Sequence, residues 1–390
     1  MQKHEHTVLR ALLSISFITA AIIVTGCTDK PSDLIDALLE SDVIIADTTI
    51  TATASATFKQ VVPMDSRPFP FVLQRNLLGQ AFGDTAYTLI QFLSIPRRDT
   101  ISVVSASLTL RAVSWSGTPG GSFGFSVHKL DTSWNENLVT RDSMPSFDQT
   151  PWGAYSGTQQ ADTEMIVVNL DTALVKTWFT GTSHGIILIP DAFTSVVRGI
   201  HAFGFDSTKF QPTLQVIAVN SAGTTSDTST FSLGQDTFVG NTPAPTLGPN
   251  LIFAQGGIVY RSRLNFDVSF IGTGSIINKA DLLLQLDQTT SQFSKFTTDT
   301  VAIIHVRRHP VDSTIFEAIG SQGRRKEGST FSFDARRAVQ SWVNGDNNGI
   351  VVRATDGSEY STFDRYVFFN HLAADSLKPT IKITYTVGRK

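Results

Sequence analysis

His305 and His309 stand four residues apart in TVAIIHVRRHP, a stretch that alternates as a strand does. On a strand rising ~3.3 Å per residue their rings lie about 13 Å apart, too far to chelate one ion together. His128 occupies the matching place on an earlier strand, so a repeated structural role is expected of His128 and His305. Asp346, Asn347 and Asn348 offer the oxygen ligands that calcium takes. They fall between Gly345 and Gly349, however, where a turn accounts for them without an ion. No nucleophile with its base, no carboxylate pair and no metal-ligand cluster stands out. The expectation is therefore a protein that is not an enzyme, with no metal and no cofactor.

What remains with chemistry to offer is aromatic stacking. The long polar segment from Thr132 to Tyr155, TSWNENLVTRDSMPSFDQTPWGAY, carries Trp134, Trp152 and Tyr155. A sugar's apolar face stacks on such rings, while Asp148 and Gln149 can orient its hydroxyls. Long loops on a rigid scaffold are also where binding residues concentrate. Trp152 and Tyr155 are therefore the candidate ligand-binding residues, with Trp134 as the further partner. The competing reading is that Trp152, beside Pro151 and Gly153, packs the loop onto its own domain.

One residue promises covalent chemistry. Lys3 and Arg10 precede an apolar run from Ala11 to Val24 that ends in Val24-Thr25-Gly26-Cys27, and Cys27 is the only cysteine in the chain. The run of about 14 residues falls short of the roughly 20 that span a bilayer, so it reads as a secretory signal. The four closing residues look like a bacterial lipobox, which predicts a signal peptide over 1–26 and lipid attachment at Cys27. Such a protein sits in the cell envelope, held to the membrane by its N-terminal lipid. Thr28, rather than Asp, follows the cysteine and allows outer-membrane delivery. Residues 27–46 are acidic and read as a tether.

The elements that must position these residues come as a duplicated set. Ala338 to Val352 reads AVQSWVNGDNNGIVV, and Leu174 to Leu188 reads LVKTWFTGTSHGIIL. Both contain VxxWxxGxxxGI: Val339, Trp342, Gly345, Gly349 and Ile350 against Val175, Trp178, Gly181, Gly185 and Ile186. The spacing predicts one short helix and then a strand, with Asp334 as N-cap of the second helix. Alternation predicts strands: Ala106, Leu108, Leu110 and Ala112 share one face, and Ala280, Leu282, Leu284 and Leu286 repeat it. Pro379-Thr380-Ile381 likewise answers Pro212-Thr213-Leu214. Two registered copies imply two domains, over 47–219 and 231–387. Residues 220–230, rich in Ser and Thr, read as a flexible linker. The fold class expected is all-β: two tandem antiparallel β-sandwich, jelly-roll-like domains, each with one short helix.

Composition narrows the partners. The net charge is −3 over 390 residues, without the basic stripe that a nucleic-acid-binding chain carries. Arg324, Arg325 and Lys326 are the one basic cluster of note and read as a solvated loop. Phenylalanine, at 27 residues against 6 tyrosines, suits buried β cores.

The ordered motifs resemble a family. Asp236-Thr237-Phe238-Val239, then Leu247-Gly248, then YRSRLNFDVS from Tyr260 to Ser269, then the VxxWxxG turn and the closing PTIKITY are similar to the DNRLRE-type domain. That domain is a bacterial extracellular β-sandwich overlapping with a carbohydrate-binding module family seen beside polysaccharide lyases. Trp134, Glu136, Thr140 and Pro145 match a further part of the pattern in the first copy. Arg141 stands where the family's second tryptophan would be, and the first copy lacks the Arg and Asp that the second has as Arg261 and Asp267. The resemblance implies tandem modules that bind extracellular polysaccharide. A structural, assembly or protein-binding lipoprotein is the alternative. A polysaccharide lyase would need Tyr, His and Arg across a concave sheet, and Tyr366, Arg365 and His371 are the nearest such set, with no spacing that singles them out.

Overall fold

The computed structural model describes residues 44–59, 75–93, 95–98, 100–202, 210–219, 226–241, 245–294, 300–308, 315–317 and 321–387. The expected signal peptide, Cys27 and nearly all of the expected tether lie outside the described residues, as do His309 and the side chain of His305.

The chain forms two antiparallel β-sandwiches. The N-terminal one contains β2 (Arg75–Ala81), β3 (Asp84–Phe92), β4 (Ser102–Gly117), β5 (Ser122–Lys129), β6 (Gly153–Thr158), β7 (Glu164–Leu170), helix α1 (Thr172–Thr180), β8 (Ile186–Pro190), β9 (Val196–His201), β10 (Thr213–Val219) and β11 (Ser226–Asn241). The C-terminal one contains β12 (Leu251–Gln255), β13 (Tyr260–Phe266), β14 (Ile276–Gln285), β15 (Thr300–Arg308), β16 (Ile315–Glu317), β17 (Ser321–Glu327), β18 (Thr330–Asp334), α2 (Arg336–Val343), β19 (Ile350–Ala354), the four-residue α3 (Asp356–Glu359), β20 (Arg365–Phe369) and β21 (Thr380–Thr386). The alternating residues Ala106, Leu108, Leu110 and Ala112 face one core, and Ala280, Leu282, Leu284 and Leu286 face the other.

Strand pairing crosses the boundary expected from the sequence. The first strand, β1 (Ile45–Lys59), joins the C-terminal sheet: Ile45–Thr51 run along β21 and Ala52–Lys59 along β13. Strand β11 joins the N-terminal sheet, with Ser226–Ser232 along β10 and Leu233–Asn241 along β3. The two strands are counterparts. Thr51 opposes Thr380 as Ser232 opposes Thr213, Ala52 opposes Phe266 as Leu233 opposes Phe92, and each register slips next, at Ala52/Ala54 and at Leu233/Gln235. Each sandwich is therefore closed by the strand that the sequence assigns to the other copy. Ser226–Thr230, expected in the linker, pair with β10 because Ser and Thr suit a strand once a partner edge is offered.

The VxxWxxGxxxGI motif has the same physical content in both halves. Trp178 and Trp342 are 2% and 3% exposed, each on a helix whose apolar face closes a core. Trp342 stacks on Phe266 at 5.9 Å between ring centroids. Gly185 and Gly349 have φ of +91° and +78°, and a Cβ would lie 2.2 Å from the Ile90 carbonyl oxygen or 2.5 Å from that of Leu264. Only glycine fits such a left-handed turn pressed against a strand. The Asp171 side chain accepts from the Ala173 amide, and Asp334 accepts from the Arg336 amide at 2.9 Å although Ala335 is the residue at the helix boundary.

The sandwiches meet through an apolar cluster that includes Leu77, Val197 and Phe238 from one and Phe253, Tyr260, Phe363 and Val367 from the other. Buried polar groups run through the same contact. Asp84 of β3 accepts from Arg365 and from Gln255, both in the C-terminal sandwich, at 3.4 Å each. Burial pulls the Arg365 guanidinium below its ordinary pKa, and Asp84 opposes that shift.

Candidate functional site

The three expected aromatic residues are packing residues in two separate places. Trp152 and Tyr155 are half-buried against the N-terminal core, with Tyr155 stacked on Phe125 at 5.7 Å. The Trp152 indole donates to Asp148 Oδ2 at 3.1 Å, and the other oxygen of Asp148 accepts from the Thr150 amide at 2.9 Å. Asp148 is thus engaged within its own loop, and these hydrogen bonds hold its pKa below the ordinary carboxylate value. Trp134 belongs to a different cluster, with Val139, Met144 and Phe147, where the loop folds over Leu89, Ile187 and Val239. Its indole donates to the His184 carbonyl at 2.9 Å. Trp134 and the other two thus pack against different clusters.

The WxE residues clasp β11 instead. The Trp134 carbonyl accepts from the Gln235 side chain at 3.1 Å, and Glu136 Oε2 accepts from the Asp236 amide at 3.3 Å. Asp236 itself is buried and accepts from the Asn76 side chain at 2.6 Å. Arg141, in place of the resembled family's second tryptophan, lies 5.3 Å over the Tyr87 ring.

The remaining sequence candidates are also dispersed or structural. His128 is held at both ring nitrogens, by the Asp148 carbonyl at 2.8 Å and Ser126 Oγ at 2.9 Å. Arg261 forms a two-point ion pair with buried Glu359, at 3.0 and 3.2 Å, while Asp267 is exposed and accepts from the Ser269 amide. Tyr366 lies inside the C-terminal core, Arg365 at the contact between sandwiches, and the His371 ring against Ser55 of β1 at 2.7 Å. They do not converge. In the Asp346–Asn348 turn, Asn347 donates to the Phe266 carbonyl and Arg263 donates to that of Asn348, which ties the turn to β13. Among the described residues no group of three or more His, Cys, Asp and Glu is placed to hold a metal. No described helix is long and apolar enough to cross a membrane.

A groove of about 450 Å³ opens on the outer face of the C-terminal sandwich, where β1, β21 and β14 lie side by side. Its floor is two cross-strand rungs. One sets Thr49, Lys382 and Asp281 next to each other, and the other sets Asp47, Thr384 and Lys279. Thr384 Oγ1 donates to Asp47 at 2.6 Å and Lys279 pairs with Asp281 at 2.9 Å, an interaction that raises the Lys279 pKa. Two carboxylates, two ammonium groups and several hydroxyls thus face one solvent-open trough of ligand size. Lys382 and Thr384 alternate in the sequence with Ile381, Ile383 and Tyr385, the pattern of a strand with one face turned to solvent. Their neighbours on β1, more than three hundred positions earlier, had no local signal.

No family model matches the chain, and a comparison with curated proteins finds no match. Among solved structures the chain is similar to the N-terminal CBM22-1-CBM22-2 tandem domain from Paenibacillus barcinonensis Xyn10C, at 8% identity over 89% of this chain and 92% of that one, with a TM-score of 0.15. The assignment of two antiparallel β-sandwiches rests on the strand pairing and the buried cores, not on that likeness.

Proposed function

We propose that this chain is a noncatalytic, lipid-anchored module of the bacterial cell envelope that binds extracellular polysaccharide in the groove across β1, β21 and β14. The observation that carries the reading is the chemistry of that groove. Hydroxyl-rich chains are recognised by hydrogen bonds to fixed polar groups, and those to charged groups are the stronger ones. Asp47, Lys279, Asp281 and Lys382 supply such groups on neighbouring strands, set side by side by cross-strand pairing. Anchorage is supported by Val24-Thr25-Gly26-Cys27 and by the status of Cys27 as sole cysteine. The resemblance of the ordered motifs to the DNRLRE-type domain fits the same role.

The test uses the full chain in detergent, assayed against a panel of neutral and acidic polysaccharides by affinity electrophoresis. Replacing Asp281 and Lys382 together with Ala should weaken retention about tenfold or more, as expected for loss of charged hydrogen bonds, and Trp152→Ala should not. The converse pattern, from variants that fold normally, would move the site to the 132–155 loop. If no polysaccharide is retained, the structural or assembly reading replaces this one.

A further inference from the structure

The strand that closes the C-terminal sandwich places little apolar side chain in its core: Ala52 is buried and Ile50 packs partly against it. Within β1 the one buried side chain among the described residues is Ala52. Its counterpart β11 buries Phe231, Leu233, Asp236, Thr237, Phe238 and Val239 and is further clasped by Trp134 and Glu136. The two slots are alike in register, so the contrast lies in the anchoring. Apolar burial is the main holding force in a sheet, so β1 is held less firmly than β11. β1 is also topologically remote. Its Ser55 meets His371 across 316 residues, and fifteen residues of sequence lie between Lys59 and Arg75, where the N-terminal sandwich begins.

We propose that the slot between β13 and β21 is an exchangeable strand-acceptor site whose partner is the β1 segment of a second copy of this chain. The backbone ladder and side-chain contacts of Ser55 with His371 and of Thr57 with Ser262 would form equally well in trans, since donor and acceptor are the same sequences. Main-chain pairing supplies the affinity in such strand addition. Exchange of an identical element between protomers is a low-cost route to a dimer, because no new interface has to be built. Reciprocal donation by two copies closes a pair. Asp236, Phe238 and Gln235 tie β11 to its own sandwich, so that slot stays filled in cis.

The register supplies the test. Ala54 opposes Asn265 across β1 and β13, and both are exposed. In a Cys27→Ser background, one full-length chain carries Ala54→Cys and a second, differently tagged chain carries Asn265→Cys. The two are incubated together under mild destabilisation, returned to native buffer, oxidised and read on a non-reducing gel. A disulfide between the two tags requires β1 of one copy in the slot of the other. The expected result is mixed-tag dimers in about tenfold excess over same-tag dimers, a conservative floor for the gain in effective concentration that a held geometry gives. Mixed-tag dimers no more abundant than same-tag ones would overturn the proposal, provided that a chain carrying both cysteines forms its internal disulfide and so reports a native register.

Discussion

Asp84 Oδ2 and Arg365 Nη2 lie 3.4 Å apart although 281 residues separate them in the chain. Asp84 begins β3 in one sandwich and Arg365 begins β20 in the other, and both are buried. With the apolar cluster around Phe253 and Val367, this pair joins the halves into a single packed body. Asp84→Ala would leave Arg365 buried without its carboxylate, a change that typically costs about 3–5 kcal/mol. Denaturant melts of the full chain should show that loss, and a value under about 1 kcal/mol would mean that water reaches the guanidinium in place of Asp84.

The exchanged strands make the two halves unequal as fragments. Residues 75–241 contain every strand from β2 to β11 and should unfold cooperatively alone. A fragment from Thr230 to Lys390 lacks β1 and leaves two open edges, at β13 and β21. It should fail to give a cooperative transition, and appending residues 44–59 after a flexible linker at its C-terminus should restore one. Circular dichroism of the three pieces decides it, and a cooperative melt of the unmodified 230–390 fragment would contradict the pairing.

The repeated motif can be tested at its two kinds of residue. Trp342→Ala empties a core position stacked on Phe266, and such truncations cost about 3–5 kcal/mol. Gly349→Ala forces a side chain into a left-handed turn against Leu264 and should cost more than about 1 kcal/mol. Trp178→Ala and Gly185→Ala should behave alike. A harmless Gly349→Ala would show that the turn can move away from β13.

These outcomes bear on what was legible in the sequence. Alternation at Ala106–Ala112 and Ala280–Leu286 located core strands because each segment reports its own two faces. The duplicated VxxWxxGxxxGI gave the helix-to-strand turn for the same reason: its constraints are local. The exchange of β1 and β11 was hidden, since two slots of like register offer either strand a ladder, and the choice turns on remote contacts such as Asn76 with Asp236. The aromatic residues of the 132–155 loop could not be sorted by sequence, because a tryptophan that packs its own loop has the same sequence signature as one that stacks on a sugar. The groove rungs needed β1 beside β21, which no local pattern announces.

Glu136 gives a pH-dependent handle on the clasp that holds β11. Burial raises its pKa above the ordinary 4.5, and the hydrogen bond from the Asp236 amide offsets part of that rise. A raised carboxylate pKa means that the folded state binds a proton more tightly than the unfolded state does. The associated stability is fully present below the unfolded value of 4.5 and is lost as pH rises through the higher folded value, after which the curve is flat. Glu136→Gln keeps an oxygen to accept from Asp236 and removes the charge. Urea midpoints of the parent chain should therefore fall between the ordinary carboxylate range and neutrality, while those of Glu136→Gln fall less over the same interval. Because Glu136 is only partly withdrawn from water, the difference should be small. Parallel curves for the two proteins across the whole interval would show that the Glu136 carboxylate is as well solvated in the folded chain as in the unfolded one, and that the clasp on β11 carries no desolvated charge.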